Sequence, residues 1–273
     1  MSQQVIQLIP QINDPCANVL GVGIHAIDLS RAVEIVESSI RDNRKGYVCV
    51  TGVHGVMEAQ RNSDFRRILH RALLITPDGM PTVWVGRAQG HRQMRRVFGP
   101  DFMLSVCARS VEHGFTHFLY GGKTEVAEQL KKNLERMFPG IKVVGTYTPP
   151  FRPLNEEEKQ DLQNVIQKLR PDIIWVGLST PKQEVFMSEN IDVLACKIMI
   201  GVGAAFDIHT GTVSDAPGWV KQAGLQWLHR LCQEPSRLWR RYLINNSGFV
   251  WKILLQFCGL RRYEQHVDLH PGL

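Results

Sequence analysis

Several motifs of common enzyme classes are missing from this 273-residue chain. It contains no His-Glu-x-x-His zinc motif and no Gly-x-Ser-x-Gly nucleophile elbow. No two aspartates stand two residues apart, as they do in metal-dependent nucleotide sites, and the ten histidines do not cluster at the spacing of metal ligands. The sequence therefore does not indicate a zinc protease, a serine hydrolase or a metal-nucleotide enzyme.

Disulfide and targeting signals are missing as well. The six cysteines are scattered, form no Cys-x-x-Cys pair and lie partly in apolar runs, so we expect buried free thiols in a reducing cytoplasm. Residues 1–15 lack the basic start and apolar core of a signal peptide. No apolar run approaches the ~20 residues that cross a bilayer. We therefore expect a cytoplasmic protein without a membrane-spanning segment.

Positive charge is concentrated near the C-terminus. Seven basic residues and one acid, Glu234, lie between Arg230 and Arg262, which accounts for the whole net charge of +6. Such local charge predicts an anionic partner for this end of the chain and does not indicate a generally basic, nucleic-acid-binding protein. We expect no nucleic-acid partner.

Strands and helices alternate through most of the chain. The predicted strands are continuous apolar runs, typical of a parallel sheet covered on both faces; they comprise residues 21–28, 46–53, 73–75, 116–120, 142–146, 172–178 and 197–202. The main predicted helices comprise residues 29–41, 56–69, 155–169, 181–190, 217–231, 236–244 and 249–260. The pattern predicts an α/β protein with a Rossmann-like, doubly wound, mostly parallel sheet. We divide it into an N-terminal arm (1–20), a Rossmann-like core (21–210) and a helical, basic C-terminal appendage (211–273).

Asp78 lies in the turn of a predicted strand–turn–helix unit, Thr-Pro-Asp-Gly-Met-Pro at Thr76–Pro81. Such turns lie at the carboxyl edge of an α/β sheet, where ligands bind. The carboxylate has two interpretations, a general base or ligand anchor, and an ordinary turn or N-cap aspartate. Turn statistics alone favour the second.

Two other strand ends carry polar or small residues. Gly177–Glu184 begins a helix whose free N–H groups, with Lys182 and Gln183, suit an anion or a sugar hydroxyl; a capping box between Thr180 and Gln183 explains it equally well. Gly201–Asp207 resembles half of a dinucleotide fingerprint but lacks the third glycine, so it indicates close backbone approach to a ligand more than a dinucleotide site.

The appendage combines arginines with apolar residues. Arg237, Arg240 and Arg241 fall on one helix face, beside Trp239 and Tyr242. This pattern is typical of an interfacial helix on an anionic membrane or one that grips a lipid diphosphate. An ordinary amphipathic helix docked on the core also fits, but the concentrated charge favours the membrane.

Taken together, these stretches resemble the WecG/TagA/CpsF glycosyltransferases, which build bacterial surface polysaccharides and teichoic acid linkage units. The resemblance spans about residues 47–245, and each matching piece is weak alone while the ordered set is specific. The matching pieces are Thr76–Pro81, Arg95–Asp101, Gly177–Glu184, Gly201–Asp207, Ala216–Trp219, Gly224–Arg230 and Glu234–Tyr242.

The resemblance implies an inverting, metal-independent transfer without a cofactor, from a UDP-sugar to a polyprenyl-diphosphate-linked sugar. It implies a peripheral protein on an anionic membrane surface, at the inner face of the bacterial cell membrane. By the family pattern Asp78 is the base, which outweighs the turn interpretation. The other site residues that the resemblance implies are Thr51, Arg96, Gln183 and Asp207 in the pocket and Arg230, Arg237 and Arg240 at the diphosphate.

Two departures from the family pattern bear on the donor. Many members carry Thr-x-Asn after the second strand, where this chain has Thr51 and then Gly-Val-His54. Asp215 stands where a basic residue is common. We therefore expect His54 to contribute a substrate-binding contact and favour glucose as the donor sugar, with N-acetylmannosamine or its uronic acid as alternatives.

Two other function classes stay open at this point. A Rossmann-type oxidoreductase needs a Gly-x-Gly-x-x-Gly in the first βα turn, which this chain lacks. A non-catalytic module that binds nucleotide-sugars or lipid at a membrane surface explains the appendage but not the polar groups at several strand ends.

Overall fold

The computed structural model describes residues 12–265, except for the side chain of Arg237. Its central sheet has six parallel strands in the order β4-β3-β8-β7-β5-β6. Two further strands form an antiparallel hairpin beside it. The strands are β1 (Cys16–Val19), β2 (Val22–His25), β3 (Gly46–Thr51), β4 (Leu74–Pro77), β5 (Thr116–Gly121), β6 (Lys142–Tyr147), β7 (Ile173–Gly177) and β8 (Ile198–Gly201).

Helices cover both faces of this sheet. They are α1 (Leu29–Arg41), α2 (Val53–Ala59), α3 (Ser63–His70), α4 (Met80–Ala88), α5 (Gly99–His113), α6 (Val126–Met137), α7 (Glu156–Leu169), α8 (Lys182–Asn190), α9 (Ala205–His209), α10 (Gly218–Gln222), α11 (Gln226–Gln233) and α12 (Pro235–Phe257). The predicted Rossmann-like α/β class, with a helical C-terminal part, is confirmed.

The core follows from the period of two in each buried strand. Ile173 and Trp175 of β7 belong to one apolar cluster, while Ile174 and Val176 belong to the other. Helices α1, α5 and α6 complete the first cluster, and α2, α3, α7 and α8 complete the second. Because both faces are covered, every strand needs a continuous apolar run, which is the pattern that the sequence shows.

The first predicted strand exists, but it does not belong to the central sheet as expected. Val22–His25 is a strand, but it pairs with Cys16–Val19 in the separate hairpin and not with the central sheet. Part of the predicted arm is therefore a strand, with Ala17 and Val19 buried. The hairpin turn, Leu20–Gly21, has positive φ at both residues, and Asn18 Oδ1 accepts a hydrogen bond from the Gly21 N–H.

The helices after residue 50 also differ from the prediction in places. The single helix expected over 56–69 is two helices, because Asn62 caps α3 through the N–H groups of Asp64 and Phe65. Helix α5 has no counterpart in the prediction. The interruption predicted between 231 and 236 is present, since α11 ends at Gln233 and Pro235 begins α12, at the position where its missing N–H costs nothing. The two helices predicted over 236–244 and 249–260 are one, because α12 continues through residues 245–248 without a break.

Helix α12 lies against α2 and α11 near the carboxyl edge of the sheet. Its far end is attached to the β1–β2 turn by Gln256, whose side chain accepts from the Leu20 N–H at 3.1 Å and donates to the Asn18 carbonyl at 2.8 Å. Gln60, at the end of α2, donates to the Leu20 carbonyl at 2.6 Å. The turn therefore ties α2 to α12. Within residues 12–265, no helix combines the length and apolar character needed to cross a membrane.

We expect Gln256→Ala to lower the free energy of unfolding by about 1–3 kcal/mol, because it leaves the Leu20 N–H without its partner and removes one of the two hydrogen bonds to the Asn18 carbonyl, the other being donated by Gln89. Denaturant titration measures the change, and limited proteolysis should show earlier cleavage in the last part of the chain. Gln160→Ala on the exposed face of α7 is the matched control, with an expected change within about 0.5 kcal/mol. Equal effects of the two substitutions would contradict the role of Gln256.

Candidate active site

Asp78 is placed by two adjoining strand-to-helix turns. Its N–H donates to the Thr51 carbonyl at 3.0 Å, and a Cβ at Gly52 would lie only 2.7 Å from the Asp78 carbonyl oxygen. Gly79, with φ of 90°, is the N-cap of α4. No described residue donates a hydrogen bond to the Asp78 carboxylate. The turn and N-cap interpretation of Asp78 therefore does not account for its side chain.

The surroundings of Asp78 make its carboxyl a weak acid. Burial raises its pKa from 3.8 to about 6. The positive charges of Arg96 and Arg230 oppose this rise, and the negative charge of Asp101 adds to it. A carboxylate with a pKa near 6 is ionised at neutral pH and is a stronger base than an exposed one.

Two cavities meet at Asp78. The larger has a volume of about 750 Å³ and the smaller about 200 Å³. Their shared lining residues are Val50, Asp78, Phe98, Thr180, Arg230, Arg241 and Tyr242. A group held in either cavity can therefore approach the same carboxylate.

The two cavities differ in the chemistry of their walls. The larger one lies between α4 and α12 and has an apolar wall; the residues of that wall include Met80, Trp84, Phe249, Val250, Ile253, Leu254 and Phe257. The smaller one lies over the ends of β7 and β8, where the chain segments Gly177–Thr180 and 202–205 present main-chain groups, and Asp207 also lines it. An apolar chain suits the first cavity, and a polar, hydrogen-bonding group suits the second.

Gln183 shapes the smaller cavity through the protein's own groups. It is buried, its Oε1 accepts from the Gly203 N–H at 3.0 Å, and its Nε2 donates to Glu184 Oε1 at 3.0 Å. The hydroxyl of Thr180 donates to the same Glu184 oxygen at 2.9 Å. The capping box between Thr180 and Gln183 is thus absent, and Gln183 instead joins the two turns that form the cavity.

His54 lines the larger cavity, yet both of its ring nitrogens bind protein groups. Asn245 Nδ2 of α12 donates to Nδ1 at 2.9 Å, and Nε2 lies 3.3 Å from the Thr180 carbonyl, to which it donates in the tautomer that this arrangement requires. Burial, and next the charge of Arg241, lower the pKa of His54 to about 4. The neutral imidazole links α2, α12 and the β7–α8 turn.

Positive charge surrounds Asp78 on several sides. Arg96 stacks on the Phe98 ring at 4.4 Å and donates to Gln226 Oε1 at 2.9 Å. Arg230 pairs with Glu234 at 3.3 Å. Arg96 lines the larger cavity, and Arg230 lines both. The arrangement suits a ligand that carries negative charge.

The other predicted site residues do not all lie at the two cavities. Thr51 lines the larger cavity and is buried, with its hydroxyl 3.4 Å from the Cys49 carbonyl that accepts from it. Arg240 is exposed, lies over the Trp239 ring at 5.2 Å and lines neither cavity. The side chain of Arg237 lies outside the described residues. The roles of these residues stay predictions.

Arg241 and Asn245 were not among the predicted site residues. Arg241 lines both cavities, and Asn245 is buried between α12 and His54. The spacing of Arg237, Arg240 and Arg241 places them on one helix face, but it does not tell which arginine points to the cavity. No sequence signal marks Asn245.

Comparison with known proteins gives a family and a relative. The model of the glycosyl transferase WecG/TagA/CpsF family matches residues 17–263. The chain is 29% identical over 217 residues to a Bacillus spizizenii protein named N-acetylglucosaminyldiphosphoundecaprenol N-acetyl-beta-D-mannosaminyltransferase. That match covers 79% of this chain and 82% of the relative.

We expect Asp78→Asn to be more stable than the parent at pH 8. Because the pKa of Asp78 is higher in the folded state than the usual 3.8, the folded state holds this proton more tightly, and the free energy of unfolding of the parent falls as the pH rises from about 4 to about 6. Asparagine does not ionise, so the variant escapes this loss, which is about 1–3 kcal/mol.

Denaturant titrations at several pH values check this expectation. The difference between variant and parent should shrink as the pH falls through about 6 and vanish near 4. Asp161→Asn, at an exposed position of α7, serves as control and should show no such trend. A stability difference for Asp78→Asn that does not change with pH would contradict the raised pKa.

Proposed function

The chain belongs to the glycosyl transferase WecG/TagA/CpsF family, and on that premise we propose that it moves a sugar from a UDP-sugar to a polyprenyl-diphosphate-linked sugar, with inversion and without a metal ion or other cofactor. The observation that carries the proposal is the position of Asp78 at the meeting point of a polar and an apolar cavity. A reaction between a nucleotide-sugar and a lipid-linked sugar needs such a junction, because the two substrates differ in polarity.

The proposed reaction is a single displacement with Asp78 as general base. The acceptor hydroxyl gives its proton to the Asp78 carboxylate while its oxygen forms a bond to the anomeric carbon of the donor sugar. The bond between that carbon and the diphosphate oxygen breaks, and UDP leaves with the electron pair. Because the nucleophile enters opposite the leaving group, the configuration inverts.

In this proposal, arginine side chains stabilise the negative charge of the leaving group. Arg96, Arg230 and Arg241 line the cavities that meet at Asp78. Guanidinium groups already in place stabilise the negative charge that grows on the diphosphate without reorganisation of solvent, which is the contribution that a bound cation makes in other transferases. This support for a metal-independent reaction comes from the residues present.

The name of the relative supports particular substrates. That protein is named as a transferase of N-acetylmannosamine to N-acetylglucosaminyl-diphosphoundecaprenol, and we propose the same donor sugar and acceptor type for this chain. The sequence favours glucose because the Thr-x-Asn of many family members is absent here and His54 is expected to take over a sugar contact. Both ring nitrogens of His54 bind protein groups, so this departure gives no reason to expect a different sugar, and the comparisons do not support glucose.

The appendage supports a peripheral position on the inner face of the cell membrane. Several large apolar side chains of α12 are exposed, including Trp239, Leu243, Trp251 and Leu254. Basic residues lie on the same helix, and no acid follows Glu234 before Glu264. An apolar helix face flanked by positive charge suits an anionic membrane surface.

We expect release of UDP, in excess EDTA, only when the correct donor and the lipid acceptor are both present. The donor panel comprises UDP-N-acetylmannosamine, its uronic acid, UDP-N-acetylglucosamine and UDP-glucose, each with a short-chain polyprenyl-diphosphate N-acetylglucosamine. Asp78→Asn should lower the rate about 100- to 10,000-fold, as loss of a general base does. Asp161→Asn, the control, should retain the parent rate.

The pH dependence of the same assay tests whether Asp78 is the general base. Below about pH 6 the value of kcat/KM should fall about tenfold per unit, because Asp78 takes up a proton. A full rate for Asp78→Asn would refute the assignment of the base. Absence of transfer from every donor and acceptor pair, with a folded protein, would instead favour the non-catalytic binding module.

We expect Arg241→Gln to lower kcat/KM for the lipid acceptor in detergent about 10- to 100-fold, since it removes from the cavities a guanidinium group that would bind the acceptor diphosphate. Arg240→Gln is the matched control, because Arg240 is the neighbouring arginine and lines neither cavity. Thermal melting of both variants establishes that they are folded. A larger loss for Arg240→Gln would contradict the inward placement of Arg241 and support the role that the family pattern implies for Arg240.

A further inference from the structure

A third cavity lies away from Asp78, between the α2–α3 turn and the segment that follows α12. Its volume is about 490 Å³. We call it the arginine groove; its lining residues are Ala59, Gln60, Arg61, Ser63, Arg66, Arg261, Arg262, Tyr263 and Glu264. None of these residues lines either of the cavities at Asp78, so the groove is a separate feature of the surface.

The arginine groove carries more basic than acidic side chains. Four arginines and one acid, Glu264, line it. Arg61 is 3.7 Å from Glu58, a long ion pair, whereas Arg66 and Arg262 form no ion pair with any described residue. The positive charges of Arg261 and Arg61 also contribute, after burial, to a lowered pKa of Lys252 on α12. An anion in the groove would relieve this crowding.

The walls of the groove are held in place by hydrogen bonds. The Asn18 side chain donates to the Tyr263 carbonyl at 2.7 Å, and the Arg261 N–H donates to the Leu255 carbonyl at 3.1 Å. Arg261 lies over the Tyr263 ring at 5.2 Å. Tyr263 also packs against the hydrophobic core. The groove therefore has walls that contacts with the rest of the protein hold in position.

The surroundings of the groove favour a lipid over a free ion. The segment that lines it continues directly from the end of α12, and Trp251 near that end and Leu260 just beyond it are exposed and line neither cavity at Asp78. A phospholipid places a negative phosphate within a few ångströms of apolar chains, which matches basic and apolar surfaces that adjoin each other. A free phosphate would use only the arginines.

We propose that the arginine groove binds the phosphate headgroup of an anionic membrane phospholipid, in addition to the lipid-linked substrate at Asp78. Arg61 and Arg66 from the core and Arg261 and Arg262 from the end of the chain hold the phosphate, while the exposed side chains at the end of α12 contact the acyl region. The headgroup then orients the protein on the membrane. This inference concerns membrane docking and does not depend on the identity of the transferred sugar.

The test compares two double variants that remove the same charge. Arg66→Gln with Arg262→Gln removes two charges from the groove, and Lys132→Gln with Arg136→Gln removes two from exposed positions of α6, which packs on β5, β6 and α9. Binding to vesicles of phosphatidylglycerol in phosphatidylcholine is measured by co-sedimentation without substrates. We expect the groove variant to bind about 25-fold more weakly and the α6 variant to bind like the parent, since each basic residue near the surface contributes about fivefold.

Further measurements distinguish the possible ligands of the groove and keep this test independent of the proposed enzyme activity. Parent protein should not bind vesicles of phosphatidylcholine alone, and inorganic phosphate should not displace it from phosphatidylglycerol vesicles. Equal losses of vesicle binding in both double variants would show that only net charge matters and would refute lipid binding in the groove.

A different result would refute the headgroup as the ligand. In that case the groove variant would lose binding of inorganic phosphate in solution and would still bind vesicles like the parent. Transfer to a short-chain acceptor in detergent should be unchanged in the groove variant, so a failure of the transferase assignment is recognised separately.

Discussion

Attachment of α12 across the carboxyl edge of the sheet is the contact on which both cavities depend. Asn245 of α12 accepts a hydrogen bond from Arg61 and donates one to His54, and His54 in turn donates to the Thr180 carbonyl. This chain of hydrogen bonds joins α12, α2 and the β7–α8 turn. Without it, the apolar wall of the larger cavity and the arginines near Asp78 would lose their fixed position. The buried imidazole must stay neutral for this role, and its lowered pKa ensures that it does.

The second constraint is the cost of a buried carboxylate. Burial raises the pKa of Asp78, and Arg96 and Arg230 offset only part of the rise. A complete offset would return the pKa to its usual value and give a weaker base, and a smaller offset would raise the pKa further. The observed balance keeps the carboxylate ionised and basic, and the protein loses some stability for it. In the proposed reaction, the same arginines meet the negative charge of a diphosphate.

Helix α12 serves two environments with its two faces. Arg241, Phe249 and Asn245 face the core and its cavities, while Arg240, Trp239 and Trp251 are exposed. The end of the helix is held by Gln256 at the β1–β2 turn, and the residues beyond it form part of the arginine groove. One element thus links the cavities at Asp78 to the surface that we propose contacts the membrane. Each function has its own arginines, which allows them to be tested separately.

The sequence by itself determined the fold class and the position of Asp78 in a turn between a strand and a helix. Apolar runs at strand spacing predicted the parallel sheet, helix α1 has the predicted bounds, and Asp78 lies in the predicted strand–turn–helix unit. These features depend on local periodicity and turn chemistry. Helix α5 escaped prediction because it begins with Gly99-Pro100, a pair that also marks turns, although proline in a first helical turn is favourable. The break predicted between 231 and 236 is confirmed, whereas the break predicted between 244 and 249 is wrong, because α12 is continuous there.

Only the tertiary structure decided which groups meet. The β1–β2 hairpin places Leu20 at positive φ, where turn rules favour asparagine or glycine, and contacts with Gln60 and Gln256 from distant parts of the chain hold it there. The choice of Arg241 over Arg240 as the cavity arginine depends on how α12 is rotated against α2. The engagement of both nitrogens of His54 depends on Asn245, which is 191 residues away. Such pairings arise from packing between elements, and a local pattern carries no information about them.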